Sequence, residues 1–556
     1  MRRFNYSRAL ALTFALSCLP AAAPLPVHHR PAYPPPAPLP QAKLLPNAAA
    51  GLAKPYGGTP IDVTTYHYDQ NRTGWNQSET DLTPAAVASS KFGLLTTLNV
   101  DGNVFAQPLL VSNLTLPDGT THDVLIIATG HNSVYAFDAQ SYAVLWQVSL
   151  GPSQSSTDVG CGDVKPEYGI SSTPVIVRNG NHAILYVVAA TEPKPMVFET
   201  WLHALDVANG RHAVKPVRIA PAAKLSNGTK VTFNPQDQWS RAGLAYANSS
   251  VYVGITSHCD HGAASISGWL LRYHPNLTKL LQFHSIETAA GTELASIWMT
   301  GFAPAIDPSG NVFVVTGNGN FATTQNARDY GQSVLKLPAT LGHVTSSFTP
   351  AAYASLNAGD TDFGSGGVML LPPIAGQTAP PLAVAIGKDA VLYLLNQETL
   401  GGEQANDAGA LQATRLASSG SGLWGGPAFY NPPGGPLVYV QINGDVLRGF
   451  AVAAGATPSL TQAVAGTSAA GYGGSLPVVS SNGANSGTGV VWLIRRGSSV
   501  QLEAYNAVSL GAPIFAAGAG TWSNPGQQNS FLTAMQANGR VYVPAYKTVE
   551  VFGLTP

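Results

Sequence analysis

From about residue 103 onward the chain repeats one pattern. A Gly/Ser-rich lead-in is followed by a short apolar run, a turn and a second apolar run. The apolar runs VLIIAT, ILYVVAAT, VYVGITS, VFVVTG, LAVAIG, LVYVQI, VVWLIR and VYVPAY are too short for buried helices and rich in β-branched and aromatic residues. That is the signature of strands buried between neighbouring sheets. Lead-ins fall at Asn103–Pro108, Gly169–Pro174, Trp239–Leu244, Met299–Pro304, Phe363–Val368, Trp424–Pro427, Gly473–Pro477 and Ser530–Ala534. A unit recurring every ~50 to 70 residues predicts radial repetition rather than several separate domains. The expected fold is all-β, an eight-bladed β-propeller of four-stranded antiparallel blades. The last unit, ending VEVFGLTP, is one strand short, and FGLLTTLNV at Phe92–Val100 precedes the first lead-in without a partner. Pairing the two closes the ring with an N-terminal strand and removes its exposed edges.

Composition narrows the setting. Charged residues make up 10% of the chain and 28 basic residues nearly cancel 29 acidic ones, so no basic field for nucleic acid exists. In strong acid the 28 lysines and arginines and 13 histidines would carry all the charge. Few charges mean little self-repulsion, a route to acid tolerance that a charge-poor secreted propeller also shows for no such reason. Residues 1–23, with Met1-Arg2-Arg3, the apolar stretch Ala9–Leu19 and Ala21-Ala22-Ala23, have the layout of a secretory signal peptide. Cys18 makes a weak lipoprotein acceptor. Residues 24–64, rich in Pro and Ala, read as a disordered leader, and 65–556 as the single propeller domain. Nothing else reaches the ~18 apolar residues of a membrane span, so the expected product is exported, periplasmic or extracellular, and soluble. Of the cysteines left after export, Cys161 and Cys259 can pair in an oxidising compartment. A loop of that length is worth roughly 4.7 kcal/mol by chain entropy. They have no CxxC spacing, and no metal site is expected.

Within the repeats, Tyr135-Ala136-Phe137-Asp138 followed by Trp146, and His203-Ala204-Leu205-Asp206 followed by Asn209-Gly210, resemble the AxDxxTGxxxW signature of the pyrroloquinoline-quinone-like propeller superfamily. The stretches YHYDQNRTGWN, CGDVKPEYGISSTPVI, SHCD, DYGQSVLKL, DTDFGSGGVMLLP and GKDAVLYLLNQETLGG extend the resemblance over nearly the whole mature chain. Quinone-using members carry adjacent cysteines beside the ring and a Glu/Asn/Asp set around calcium. This chain has no adjacent cysteines, and VLKLPATLGHV lacks the signature Asp and Trp. The expectation is therefore no cofactor, with the quinone and calcium as the alternative. A propeller of this type without its quinone set looks like the tetrathionate hydrolases of acidophilic sulfur-oxidising bacteria.

Side chains near the lead-ins would line the central channel. Asp329, in RDYGQS, can act as general acid or base or hold an Asx turn. Asp360 and Asp362 precede FGSGG and can form a paired-carboxylate site or a turn. Cys161-Gly-Asp163 with Glu167 carries the same ambiguity. Arg241, in WSRAGL, is a candidate for a sulfonate end, with Trp239, Trp298 and Trp424 as walls or blade-to-blade packing. His258 belongs to the same rim. Arg72 either binds substrate or pairs with Asp69. No GxSxG, HExxH, P-loop, helix-opening GxGxxG or CxxCH motif is present. The readings left are a hydrolase of a small anionic sulfur compound, a non-enzymatic envelope scaffold, and a quinone-dependent alcohol or sugar dehydrogenase. Self-association as a homodimer is left open.

Overall fold

The computed structural model describes residues 54–260, 266–287, 294–324, 327–497, 499–522 and 531–555. The expected signal peptide, Cys18 and most of the leader lie outside the described residues. So does Ser530.

The chain is a β-propeller. Groups of four antiparallel strands begin at the inner strands Leu109–Thr115, Val175–Asn179, Ala245–Ala247, Ala305–Ile306, Val368–Leu370, Ala428–Tyr430, Val478–Ser480 and Met535–Ala537. The apolar runs recognised in sequence form the second strand of each group. Their side chains are buried on both faces, as in residues 124–128 and Leu382–Ala385, which is why they read as continuous rather than alternating. Two groups also touch through a parallel pairing at Gly466 and Gly511. The closing strand runs Phe92–Asn103 and pairs antiparallel with Tyr546–Leu554, Phe92 opposite Leu554 and Leu98 opposite Val549. First and last parts of the propeller thus share one sheet, as the unpaired strand implied.

Ordered contacts begin ahead of Thr65. The Lys54 N–H donates to Leu554 O, and Val63 exchanges both backbone hydrogen bonds with Leu110. From there the chain makes one circuit past the inner strands in their own order. Thr64 O accepts from Ile176 N–H, the Gln70 side chain donates to Tyr246 O, and Gln70 O accepts from Ile306 N–H. Asn71 O accepts from Leu370 N–H, Thr73 O from Phe429 N–H and Gly74 O from Val479 N–H. Asn76 Nδ2 then donates to the Gln536 side chain. Such a circuit must turn continuously, and His67, Tyr68 and Arg72 take positive φ. Arg72, fully buried, is its hub. The guanidinium donates to Thr65 Oγ1, to the carbonyls of Tyr66 and Asp69, and through both Nε and Nη2 to Pro304 O.

Candidate functional site

Two of the inner segments pass through three levels in the same order. In the fourth group, Trp298 lines a pocket, Gly301 packs on Arg241, and Pro304 and Ile306 meet the circuit. In the sixth, Trp424 lines the pocket, Gly426 packs on Phe302, and Phe429 meets the circuit. The pocket therefore sits over the lead-in end of the inner strands, with the circuit beyond it.

The pocket has a volume of about 470 Å³ and collects side chains from loops far apart in sequence: Asp163, Cys259, Asp260, Asn318, Asp360, Asp362, Lys388, Trp298, Trp424 and Tyr472 among them. Lys388 stands in the turn between Leu382–Ala385 and Val391–Asn396. Its Nζ lies 2.5 Å from Asp362 Oδ1 and 3.3 Å from Asp360 Oδ1, and 5.7 Å from the centre of the Trp424 ring. Asn318 Nδ2 bridges Asp360 Oδ1 at 2.8 Å and Asp260 Oδ2 at 3.2 Å. Gln332 holds that bridge, donating to Asn318 Oδ1 at 2.9 Å while its own carbonyl accepts from Phe363 N–H at 2.7 Å. Glycines let the loops close on each other. A Cβ at Gly364 would come 2.2 Å from Gly317 N, and one at Gly317 would lie 3.3 Å from Asp362 Oδ2.

One wall is the Cys161–Cys259 disulfide, with a Cα–Cα distance of 5.7 Å. Asp163 approaches the two sulfurs, but sulfurs bonded to each other offer no thiolate to a metal. Trp298, Trp424 and Tyr472 also line the pocket, the last two with ring centres 5.0 Å apart.

The charges are unbalanced, with four aspartates against one lysine. Burial pushes Asp260 above the ordinary carboxylate range, partly offset by hydrogen bonds from Ser257 and Asn318. Burial also raises Asp362. The Lys388 ammonium works against the rise, and Asp360 and Asp260 work with it. Burial alone would lower Lys388, but Asp362 and Asp360 together hold it above its usual value.

Of the residues singled out in sequence, Asp362, Asp360, Asp163, Trp298 and Trp424 meet in this pocket. Asp329 is 2% exposed on the strand Ala327–Tyr330, where Oδ1 accepts the Glu287 N–H at 2.8 Å, and it is not among the lining residues. Trp239 lies behind the disulfide wall. Its indole donates to Ser257 O, stacks on His258 and meets the edge of Tyr168, whose hydroxyl contacts Cys161 Sγ. Arg241 and Arg72 are buried at the deeper levels. Lys388, Asn318, Asp260 and Tyr472 were missed. Each sits in a loop that reads as an ordinary turn, and only GKD between two apolar runs hinted at a fixed lysine.

No protein-family model matches the sequence, and neither does any curated protein. Solved structures do match. The quinohemoprotein alcohol dehydrogenase from Comamonas testosteroni is 13% identical, over 88% of this chain and 80% of that one, with a TM-score of 0.55. A europium-containing methanol dehydrogenase is 13% identical, over 89% of this chain and 91% of that one, with a TM-score of 0.56. At such identity the likeness shows the fold alone. The chain has the fold of the pyrroloquinoline-quinone-like β-propellers.

Proposed function

We propose that this propeller is an exported hydrolase of a small anionic sulfur compound of the tetrathionate type, working in acid. The observation that carries the reading is the charge set of the pocket, one firmly held ammonium among four aspartates. Near neutrality such a set repels anions. As acid protonates carboxyls that burial has already lifted, the pocket becomes a cation surrounded by O–H donors. Only the anion of a strong acid is still charged under those conditions, and sulfonate ends meet that requirement where carboxylates do not.

In this reading Lys388 takes one sulfonate, and the disulfide, Trp298, Trp424 and Tyr472 flank the sulfur chain. Water adds to a sulfonate sulfur and its bond to the next sulfur breaks, the electron pair leaving on the sulfur fragment. Asp260, held protonated, gives that fragment its proton. The attacking water gives up its proton to bulk water, and Asp362, protonated in acid, leaves the Lys388 ammonium to the sulfonate. The products are sulfate and a trisulfur monosulfonate, which divides into thiosulfate and sulfur with no oxidant or reductant required.

The quinone of the structural neighbours fits poorly. Its carboxylates would join four aspartates, and the one pocket ammonium is already engaged by Asp362 and Asp360. The aspartate oxygens face ammonium and amide donors rather than an open cation site. Acidification, which opens the pocket to a sulfonate, would also discharge the quinone's carboxylates.

The test is tetrathionate consumption by purified protein between about pH 2 and 7, with Lys388→Met, Asp260→Asn and Asp329→Asn beside the parent. An acid optimum and a loss of at least ~100-fold in Lys388→Met are expected. Asp260→Asn and Asp329→Asn divide the proton-donor role between the pocket carboxyl and a buried one outside its lining. No turnover anywhere in the range, or full activity in Lys388→Met, sinks the reading.

A further inference from the structure

The two sulfurs of the disulfide in the pocket wall have different surroundings. Cys259 lines the pocket, whereas Cys161 is 2% exposed and sunk in the apolar cluster behind it, with Tyr168 and Trp239. The bond therefore runs inward from the pocket. A nucleophile in the pocket meets Cys259 Sγ, and the sulfur it displaces is Cys161 Sγ. That sulfur already has a hydrogen-bond donor. The Tyr168 hydroxyl lies 2.9 Å from Cys161 Sγ and 3.4 Å from Cys161 O, while the Val164 N–H donates to its oxygen at 3.2 Å. Trp239 and His258 pack on the Tyr168 ring, with centres 4.7 and 4.3 Å away, and fix its aim. Burial keeps the phenol protonated. A disulfide sulfur is a weak acceptor for this O–H and a thiolate a strong one, so the hydroxyl favours the state in which the bond has opened.

Acid narrows the choice of nucleophile. Ordinary thiols are protonated there and do not attack disulfides. A terminal sulfur whose charge is drawn off by a sulfonate is a much weaker base and stays anionic. We propose that the Cys161–Cys259 disulfide accepts a sulfur atom from a sulfane sulfonate, the class that holds thiosulfate and the trisulfur monosulfonate. This rests on the function proposed above, in which hydrolysis leaves such a fragment in this pocket. The terminal sulfur of the fragment bonds to Cys259 Sγ. The bond to Cys161 breaks, and its electron pair leaves on Cys161 Sγ, held by the Tyr168 O–H. Cys161 Sγ then attacks the newly added sulfur, whose bond to the rest of the fragment breaks, the pair leaving with thiosulfate. The cysteines end joined through a third sulfur, for which the pocket of about 470 Å³ has room. One sulfur atom has moved, no proton has been transferred, and no oxidant or reductant is consumed. With thiosulfate as the donor, the same two steps release sulfite.

The test incubates the whole protein in acid with thiosulfate carrying a heavy sulfur isotope at its outer position, then digests it without reduction and weighs the peptide pair that holds Cys161 and Cys259. The expected mass is the disulfide pair plus one labelled sulfur. Label placed at the inner, sulfonate position should not enter. Unlabelled tetrathionate should give the same pair heavier by one sulfur atom. Tyr168→Phe keeps the ring and loses the donor, and should form the adduct at least about tenfold more slowly. An unchanged disulfide with both donors, entry of the inner label, or an equal rate in Tyr168→Phe overturns the proposal. If that variant does not fold, the labelling of the parent decides alone. An adduct from thiosulfate without consumption of tetrathionate upholds this site and refutes the hydrolase, whereas consumption of tetrathionate with an unchanged disulfide does the reverse.

Discussion

Replacing Asp389 by Asn tests whether this protein is built for acid. Asp389 lies beside Lys388 in the same turn, 2% exposed, with Oδ1 accepting the Gly387 N–H at 3.2 Å. Burial lifts its carboxyl from 3.8 to about 7, and hydrogen bonds from Tyr393, Val391 and Gly387 offset only part of the rise. A carboxyl that binds its proton more tightly folded than unfolded contributes stability present in full below the unfolded value. That stability is lost as pH rises through the folded one. The window runs from about pH 4 to pH 7, and the span of the shift corresponds to about 4 kcal/mol. Asn keeps the shape and the acceptor but cannot ionise. The variant should match the parent to within about 1 kcal/mol near pH 3. It should exceed the parent by about 4 kcal/mol at pH 7, or about 4 °C in Tm for roughly 500 ordered residues. Buried His67, His203 and His284, lowered to about 3, 4 and 4, have the opposite sign and cost stability as pH falls below the ordinary histidine range. The difference between parent and variant, rather than either curve, therefore isolates Asp389. Thermal and urea unfolding at matched ionic strength measure it. Parallel stability curves for the two proteins across pH 3 to 8 would refute the reasoning.

Three further outcomes are expected. Arg72→Met strands the buried carbonyls of Tyr66, Asp69 and Pro304, and should cost about 3 to 5 kcal/mol in denaturant titrations. Joint replacement of Cys161 and Cys259 by Ser opens a loop with a sequence separation of 98. It should cost about 4 to 5 kcal/mol by chain entropy, read as a lower midpoint that reductant no longer changes. Asp260→Asn removes one of the carboxyls whose protonation opens the pocket, so tetrathionate binding should extend to higher pH even where turnover falls. Calorimetric titrations across the pH range follow the two separately.

The strand pattern was legible because each group's second strand is buried on both faces and its lead-in needs glycine and serine to pack near the axis. The closing strand was legible by default, since Phe92–Val100 had no other partner. The pocket was not. Its residues stand in eight separate segments whose proximity exists only once the ring has closed, and each alone has the composition of a solvated turn. Asp360 and Asp362 were visible because two acids before FGSGG are unusual. Lys388 was not, because a lysine at a hairpin tip normally points into water. The two arginines show the limit most clearly. Arg72 and Arg241 sit in similar polar, glycine-bearing stretches and looked equivalent, each a candidate anion ligand. What separates them is the acceptors the folded chain supplies. The circuit from Thr65 to Asn76, together with Pro304 O, wraps Arg72 in acceptors, whereas among the described residues the Arg241 guanidinium donates to the carbonyls of Ser171 and Phe531. Neither set of partners is purely local: Arg72 donates to Thr65, 7 residues away, and to Pro304, 232 residues away, while Arg241 donates to Ser171 and Phe531, 70 and 290 residues away, so neither role is readable before the ring has closed.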